Sequence, residues 1–154
     1  KGNLYFHFSG KDDLGLSIIR EAAERYFEYL SKSITSREPL GKIRDILGAV
    51  LRFHRRTGFV GGCIFGNTAL EMGDTDGRYA ALIMEVFDRW VHILAGLLRE
   101  AGKAGVLPAG IRPEPMARHI VSAMEGSIMM ARLYKREDPI AECIKYLEKL
   151  IGIK

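Results

Sequence analysis

The chain has little cysteine: Cys63 and Cys143 are the only two among 154 residues, eighty positions apart. That separation excludes a CxxC redox motif and a cysteine-rich zinc site, and both thiols are expected to be reduced. The four histidines, His7, His54, His92 and His119, include no i, i+4 pair that would form a helical metal face, so no metal or other cofactor is expected. No apolar run approaches the roughly eighteen residues a membrane span needs, and the first residues carry neither an initiating Met nor a secretory-signal pattern. A soluble, cytoplasmic protein without a membrane partner is the resulting expectation. A nucleophile elbow, a phosphate-binding loop and a spaced Ser/His/Asp set are all missing, so catalysis is not expected. The adjacent carboxylates Asp12-Asp13 and Glu137-Asp138 read as helix N-termini rather than acid–base pairs.

What is present is the material of one ordinary domain. Apolar residues make up 47% and charged residues 27%, enough for a core without staples. The net charge of +4 is unevenly placed: residues 1 to 60 hold eleven Lys/Arg against seven Asp/Glu, and the remainder is balanced at twelve of each. A basic end on a neutral body suits an anionic partner such as DNA, although ordinary surfaces also carry such an excess.

Apolar residues recur at three- and four-residue spacing along nearly the whole chain, and no sustained alternation marks a strand, so the fold class is all-α. The longest stripe, Tyr79, Leu82, Ile83, Val86, Phe87, Trp90, Ile93, Leu94, Leu97 and Leu98, predicts a buried helix from about Asp76 to the Gly102–Pro108 stop signals. Ile19, Ala22, Ala23, Tyr26, Leu30 and Ile34 predict another over residues 11 to 34. A third starts at Pro39, with Leu40, Ile43, Leu47, Val50, Leu51 and His54 on its stripe, and ends near Gly58. A short helix follows the paired Gly61-Gly62 and closes at Gly73. Residues 114 to 135 carry apolar side chains on two sides: Ala117, Ile120, Val121, Met124, Ile128 and Ala131 on one, Met116, Ala123, Met130 and Leu133 on the other. The last helix is expected to use Asp138 as N-cap and Pro139 as first residue. The second apolar face beside an amphipathic terminal helix suggests a homodimer seam, the alternative being a better-covered monomer core.

The opening Lys1-Gly2-Asn3-Leu4-Tyr5-Phe6-His7-Phe8-Ser9-Gly10-Lys11-Asp12-Asp13-Leu14 resembles the end of the TetR-family helix-turn-helix, typically K-G-x-L-Y-x-H-F followed by S-K-E-E-L. The run Gly62-Cys63-Ile64-Phe65-Gly66-Asn67-Thr68-Ala69-Leu70-Glu71 also looks like a stretch of one branch of that family. The resemblance implies a TetR-like helical ligand-binding and dimerisation domain over 11–154, preceded at 1–10 by a remnant of the DNA-recognition helix. It further implies a regulator, a repressor in the usual case, that binds operator DNA as a homodimer in full-length form and is released by a small, mostly apolar effector. By resemblance, Lys1, Tyr5, His7 and Lys11 would contact phosphates, Asn3 a base edge or backbone, and Leu4 and Phe8 would pack inward; apart from the resemblance, Tyr and His beside a Leu/Phe pair are more often a helix-end packing cluster than a nucleic-acid contact. Gly10 stands where the family places the capping Ser, and Ser9 with Asp12 is expected to cap one residue earlier. Without the helices that hold a recognition helix in place, these 154 residues alone are expected to bind DNA weakly and without sequence preference.

For a sensing site, Phe53, Met84, Phe87, Trp90, Met124 and Ser127 are expected on interior faces, with Asn67 as a polar anchor. Each also suits plain core packing. Glu125 lies within an apolar helical stretch, free to bond a ligand, pair across a dimer or sit at a wet edge, and Gly126 beside it would let two helices approach. Cys63 stands at the start of the short helix with Arg55 and Arg56 upstream. Dipole and cations could lower its pKa and make it an electrophile sensor, or it is simply a small buried residue. The family resemblance implies that ligand entry shifts the helix of residues 11 to 34 and changes the separation of two recognition helices. The competing reading is a helical ligand-binding or dimerisation module that never touches DNA.

Overall fold

The computed structural model describes residues 8–153, which form six helices and, among those residues, no strand. The helices are α1 (Lys11–Lys32), α2 (Pro39–Arg56), α3 (Ile64–Met72), α4 (Gly77–Lys103), α5 (Pro113–Tyr134) and α6 (Asp138–Leu150). The expected contacts at Lys1, Asn3, Tyr5 and His7 lie outside the described residues. Phe8 is half-buried, and Lys11 is the exposed first residue of α1.

Helix α4 is the axle. At 27 residues it runs about 40 Å and touches α1, α2, α3 and α5. Of the stripe read from spacing it buries Tyr79, Leu82, Ile83, Val86, Trp90, Leu94 and Leu98, together with Ala95 and Ala101, while Phe87, Ile93 and Leu97 are half-buried. Asp76 caps its N-terminus by accepting from the Arg78 N–H at 2.9 Å. Helix α5 packs along α4 on one side and α6 on the other, while α2 closes the bundle against α4 and α6.

Several boundaries and caps differ from expectation. Helix α1 ends at Lys32, where Ser33 bonds back to the Tyr29 carbonyl through both its N–H and its hydroxyl. Its N-terminal partner for Ser9 is Asp13, not Asp12: the Ser9 N–H donates to Asp13 Oδ2 at 3.1 Å and the hydroxyl at 3.3 Å. Four residues is one turn, so Asp13 is the carboxylate that can reach back. Asp138 is the first residue of α6 rather than its cap, Glu137 holding that place with Pro139 second.

On α5 the face carrying Ala117, Ile120, Val121, Met124, Ile128 and Ala131 is wholly buried. The second face is divided. Met116, Ala123 and Met130 are half-buried, and Leu133 is 70% exposed beside Met129 at 57%. On α6, Tyr146 and Leu150 are also exposed.

The N-terminal ends of α1 and α4 are locked together. The Tyr79 hydroxyl donates to the Asp12 carbonyl at 3.3 Å, and Arg78 reaches the Asp12 carboxylate at 3.4 Å while holding Asp76 at 2.6 Å. Farther along, Arg89 pairs with Glu24 at 2.7 Å and lies over the Phe27 ring.

Candidate functional site

Two glycines open the site. Gly61 and Gly62 both take positive φ, +85° and +68°, which turns the chain into α3 in a way L side chains resist. A Cβ on Gly62 would also stand 2.9 Å from the Arg132 side chain, so α5 passes close over this turn. Cys63 then caps α3, its sulfur accepting from the Gly66 N–H at 3.5 Å. Asn67 bridges the entrance: its amide donates to the Gly61 carbonyl at 2.7 Å and its oxygen accepts from Arg132 at 2.7 Å.

Between α3, α4 and α5 lies a cavity of about 300 Å³, at the small end of ligand-sized pockets. Its walls are almost entirely apolar, with Ala69 and Leu70 from α3, Phe87 from α4, and Ile128 and Met129 from α5. The exceptions decide its chemistry. Glu125 enters from α5, its carboxyl laid against the Cα of Gly66, where any β-carbon would collide with Oε2. The Cys63 thiol donates a hydrogen bond to this carboxyl, and no cation pairs with Glu125 among the described residues.

Burial raises the Glu125 carboxyl above its ordinary 4.5, the thiol hydrogen bond only partly offsetting it. The Cys63 thiol is pushed up to about 12, first by burial and then by the neighbouring Glu125. Tyr26 is raised well above 10, again by burial and then by Cys63 and Glu125. All three groups are thus driven toward their neutral forms. The expected activation of Cys63 by Arg55 and Arg56 does not occur, because Arg55 is turned to Glu137 at 2.8 Å and Arg56 lies over the Tyr29 ring.

Of the residues expected to line a sensing site, Asn67 and Phe87 are brought to this cavity. Met84 is 60% exposed, one turn before Phe87 on the outer side of α4, and so stands away from any interior face. Trp90 is buried on the α1 side, where it stacks on Tyr26 with centroids 5.9 Å apart, and Phe53 meets the same tyrosine edge-on at 5.2 Å. Met124 is core, and Ser127 is buried with its hydroxyl donating to the Met124 carbonyl at 2.8 Å. Gly126 does not bring helices together: nothing lies within 4 Å of a Cβ built there, and it widens the cavity's edge. Sequence reasoning did not place Leu70, Met129 and Arg132 in the site. For Met129 and Arg132 the signal was the i, i+4, i+7 spacing that puts them with Glu125 on one side of α5.

Residues 39–147 match the tetracyclin repressor-like, C-terminal domain family. Over 143 residues the chain is 34% identical to the transcriptional regulator AcuR of Cereibacter sphaeroides, covering 91% of this chain and 65% of that protein. Among solved structures it is similar to the regulatory protein TetR from Rhodobacter sphaeroides, with a TM-score of 0.89 and 29% identity over 97% of this chain and 80% of that one. A TetR transcriptional regulator from Chloroflexus aurantiacus is equally close in fold, with a TM-score of 0.89 at 25% identity over 97% and 76% of the two chains. With its C-terminal-domain match, its six-helix architecture and its relatives all in agreement, this chain belongs to the TetR family.

Proposed function

We propose that this chain is the effector-binding and dimerisation part of a transcriptional repressor that grips operator DNA as a homodimer and lets go when a small, mostly apolar molecule enters the α3–α4–α5 cavity. The observation that carries this reading is the cavity itself, about 300 Å³ of apolar space interrupted by one carboxyl that has no counter-charge. A carboxyl is costly to bury, and a core free to choose would place an apolar group there. Its retention suits recognition of something that arrives.

The connection to DNA runs through α4. Phe87 lines the cavity, and two to three turns earlier on the same helix Tyr79 and Arg78 hold the first turn of α1, immediately after the stretch that resembles the recognition helix. A ligand wedged against Phe87 therefore pushes on the helix that holds the first turn of α1, where Lys11 stands. A differential affinity of a few kcal/mol between two positions of α1 is enough to empty an operator. The exposed Met129, Leu133, Tyr146 and Leu150 offer α5 and α6 as the apolar seam of the dimer. Cys63 and Tyr26, both raised far above neutral pH, are not set up to exchange protons there, which favours a sensor over a catalyst.

Gel-shift titration of the full-length gene product on the DNA upstream of its own gene tests the reading. A specific complex that dissociates when a thermal-shift hit is added, and that persists in a Gly126→Leu variant, is the expected result. Absence of a specific complex, or a complex indifferent to every molecule that raises the melting temperature, would overturn it.

A further inference from the structure

The cavity's polarity is lopsided. Glu125 is the one carboxyl among its lining residues, and the other charge-bearing side chain, Arg132, belongs to the rim, where it is exposed and already bonded to Asn67. Water screens an exposed rim charge more fully than a half-buried one set against Gly66 and Cys63 in an apolar wall. The groups that face Glu125 from the packed elements are Cys63 ahead of α3 and Tyr26 from α1, both held neutral. In the adjoining cleft on its other side, Asp88 of α4 and Arg118 of α5 stand with Phe87. Neither of these charges is paired with the carboxyl, so the cavity holds a half-buried acceptor with two oxygens whose one protein partner among the described residues is a thiol.

A ligand that supplies the missing cation gains twice. Its charge meets a carboxyl that no cation pairs among the described residues, and its body removes apolar surface at Leu70, Phe87 and Met129 from water. The Phe87 ring lining the same wall adds attraction for a cation approaching its face. A neutral ligand gains only the second term, and an anion must meet a carboxyl.

Resting on the reading of this cavity as the effector site, we infer that the effector is a small amphipathic cation, an amine-headed apolar molecule whose nitrogen docks on Glu125 and whose hydrocarbon part fills the space between Leu70, Phe87 and Met129. A docked ammonium favours the carboxylate and so opposes the rise that burial imposes on Glu125.

Three probes on one skeleton separate the alternatives: 4-phenylbutylamine, 4-phenylbutan-1-ol and 4-phenylbutyrate, measured by calorimetric titration on the intact protein. The amine is expected to bind at least tenfold more tightly than the alcohol and the butyrate most weakly. Glu125→Gln should bring amine and alcohol within about twofold of each other, and the parent's preference for the amine should shrink as pH falls and the carboxyl takes up its proton. Alcohol or butyrate binding as tightly as the amine, or an amine preference surviving Glu125→Gln, would overturn the cationic effector while leaving the cavity a ligand site. If none of the three binds, the cationic effector and the effector-site reading fall together.

Discussion

The hydroxyl of Tyr79 occupies the space that a side chain at position 15 would need. A β-carbon on Gly15 would collide with that oxygen, and the ring carbon behind it would lie 3.3 Å away. The first turns of α1 and α4 approach this closely because position 15 is glycine. The contact lies on the route from the cavity wall at Phe87 to the segment preceding α1.

Gly15→Ala is therefore expected to destabilise the fold by about 1–3 kcal/mol through overpacking, despite the gain of up to about 1 kcal/mol that alanine ordinarily brings to a helix interior. Tyr79→Phe alone should cost about 1 kcal/mol for the lost bond to the Asp12 carbonyl. In the Tyr79→Phe background the collision is relieved and the propensity gain remains, so Gly15→Ala should become neutral or stabilising. Urea unfolding of the four proteins reads this directly, and additive effects of the two changes would rule the steric account out.

Glu125 should make the protein less stable as pH rises. Because burial holds its carboxyl above the ordinary 4.5, the folded protein keeps this proton more tightly than the unfolded chain does. Its contribution is full below pH 4.5 and declines as pH climbs through the folded-state value. Glu125→Gln, which carries no proton to lose, should flatten that slope and melt at a higher temperature than the parent at neutral pH. A melting curve series from pH 4.5 to 8 in which both proteins fall in parallel would contradict this.

The Cys63 thiol, pushed up to about 12 from an ordinary 9.0, should be sluggish toward electrophiles. At pH 7.5 its thiolate population is lower than a free cysteine's by roughly three orders of magnitude. N-ethylmaleimide followed by mass spectrometry should label it no faster than Cys143, and Glu125→Gln, which removes the like-charge neighbour, should speed it. Preferential labelling of Cys63 in the native protein would restore it as a reactive sensor.

The helices were legible because burial imposes its period on the chain. The stripe from Tyr79 to Leu98 and the inner face of α5 were visible as spacing alone, and Asp76 and Pro39 marked starts by their chemistry. The pocket was less legible, since spacing places a residue on a face without saying which neighbour the face meets. Trp90 and Phe87 share one apolar stripe, yet Trp90 turns to Tyr26 of α1 and Phe87 to the cavity. Arg55 and Arg56 are near Cys63 in the chain and far from its thiol in purpose, because long side chains follow the partners that folding supplies, here Glu137 and Tyr29.

Gly126 gives the cleanest way to close the cavity without disturbing the fold. It lines the pocket, it is exposed, and nothing stands within 4 Å of a β-carbon built on it. Gly126→Leu should keep or raise stability, by up to about 1 kcal/mol, since leucine is the better helix former, while its isobutyl group occupies part of a volume of only about 300 Å³. Ligand affinity should then fall at least tenfold with the melting temperature of the free protein unchanged or higher. A Gly126→Ala variant, adding one methyl group, should bind nearly as the parent does. If Gly126→Leu binds normally, the ligand lies elsewhere, and the cleft lined by Phe27, Ile46, Trp90 and Leu94 on the opposite side of α4 becomes the place to look.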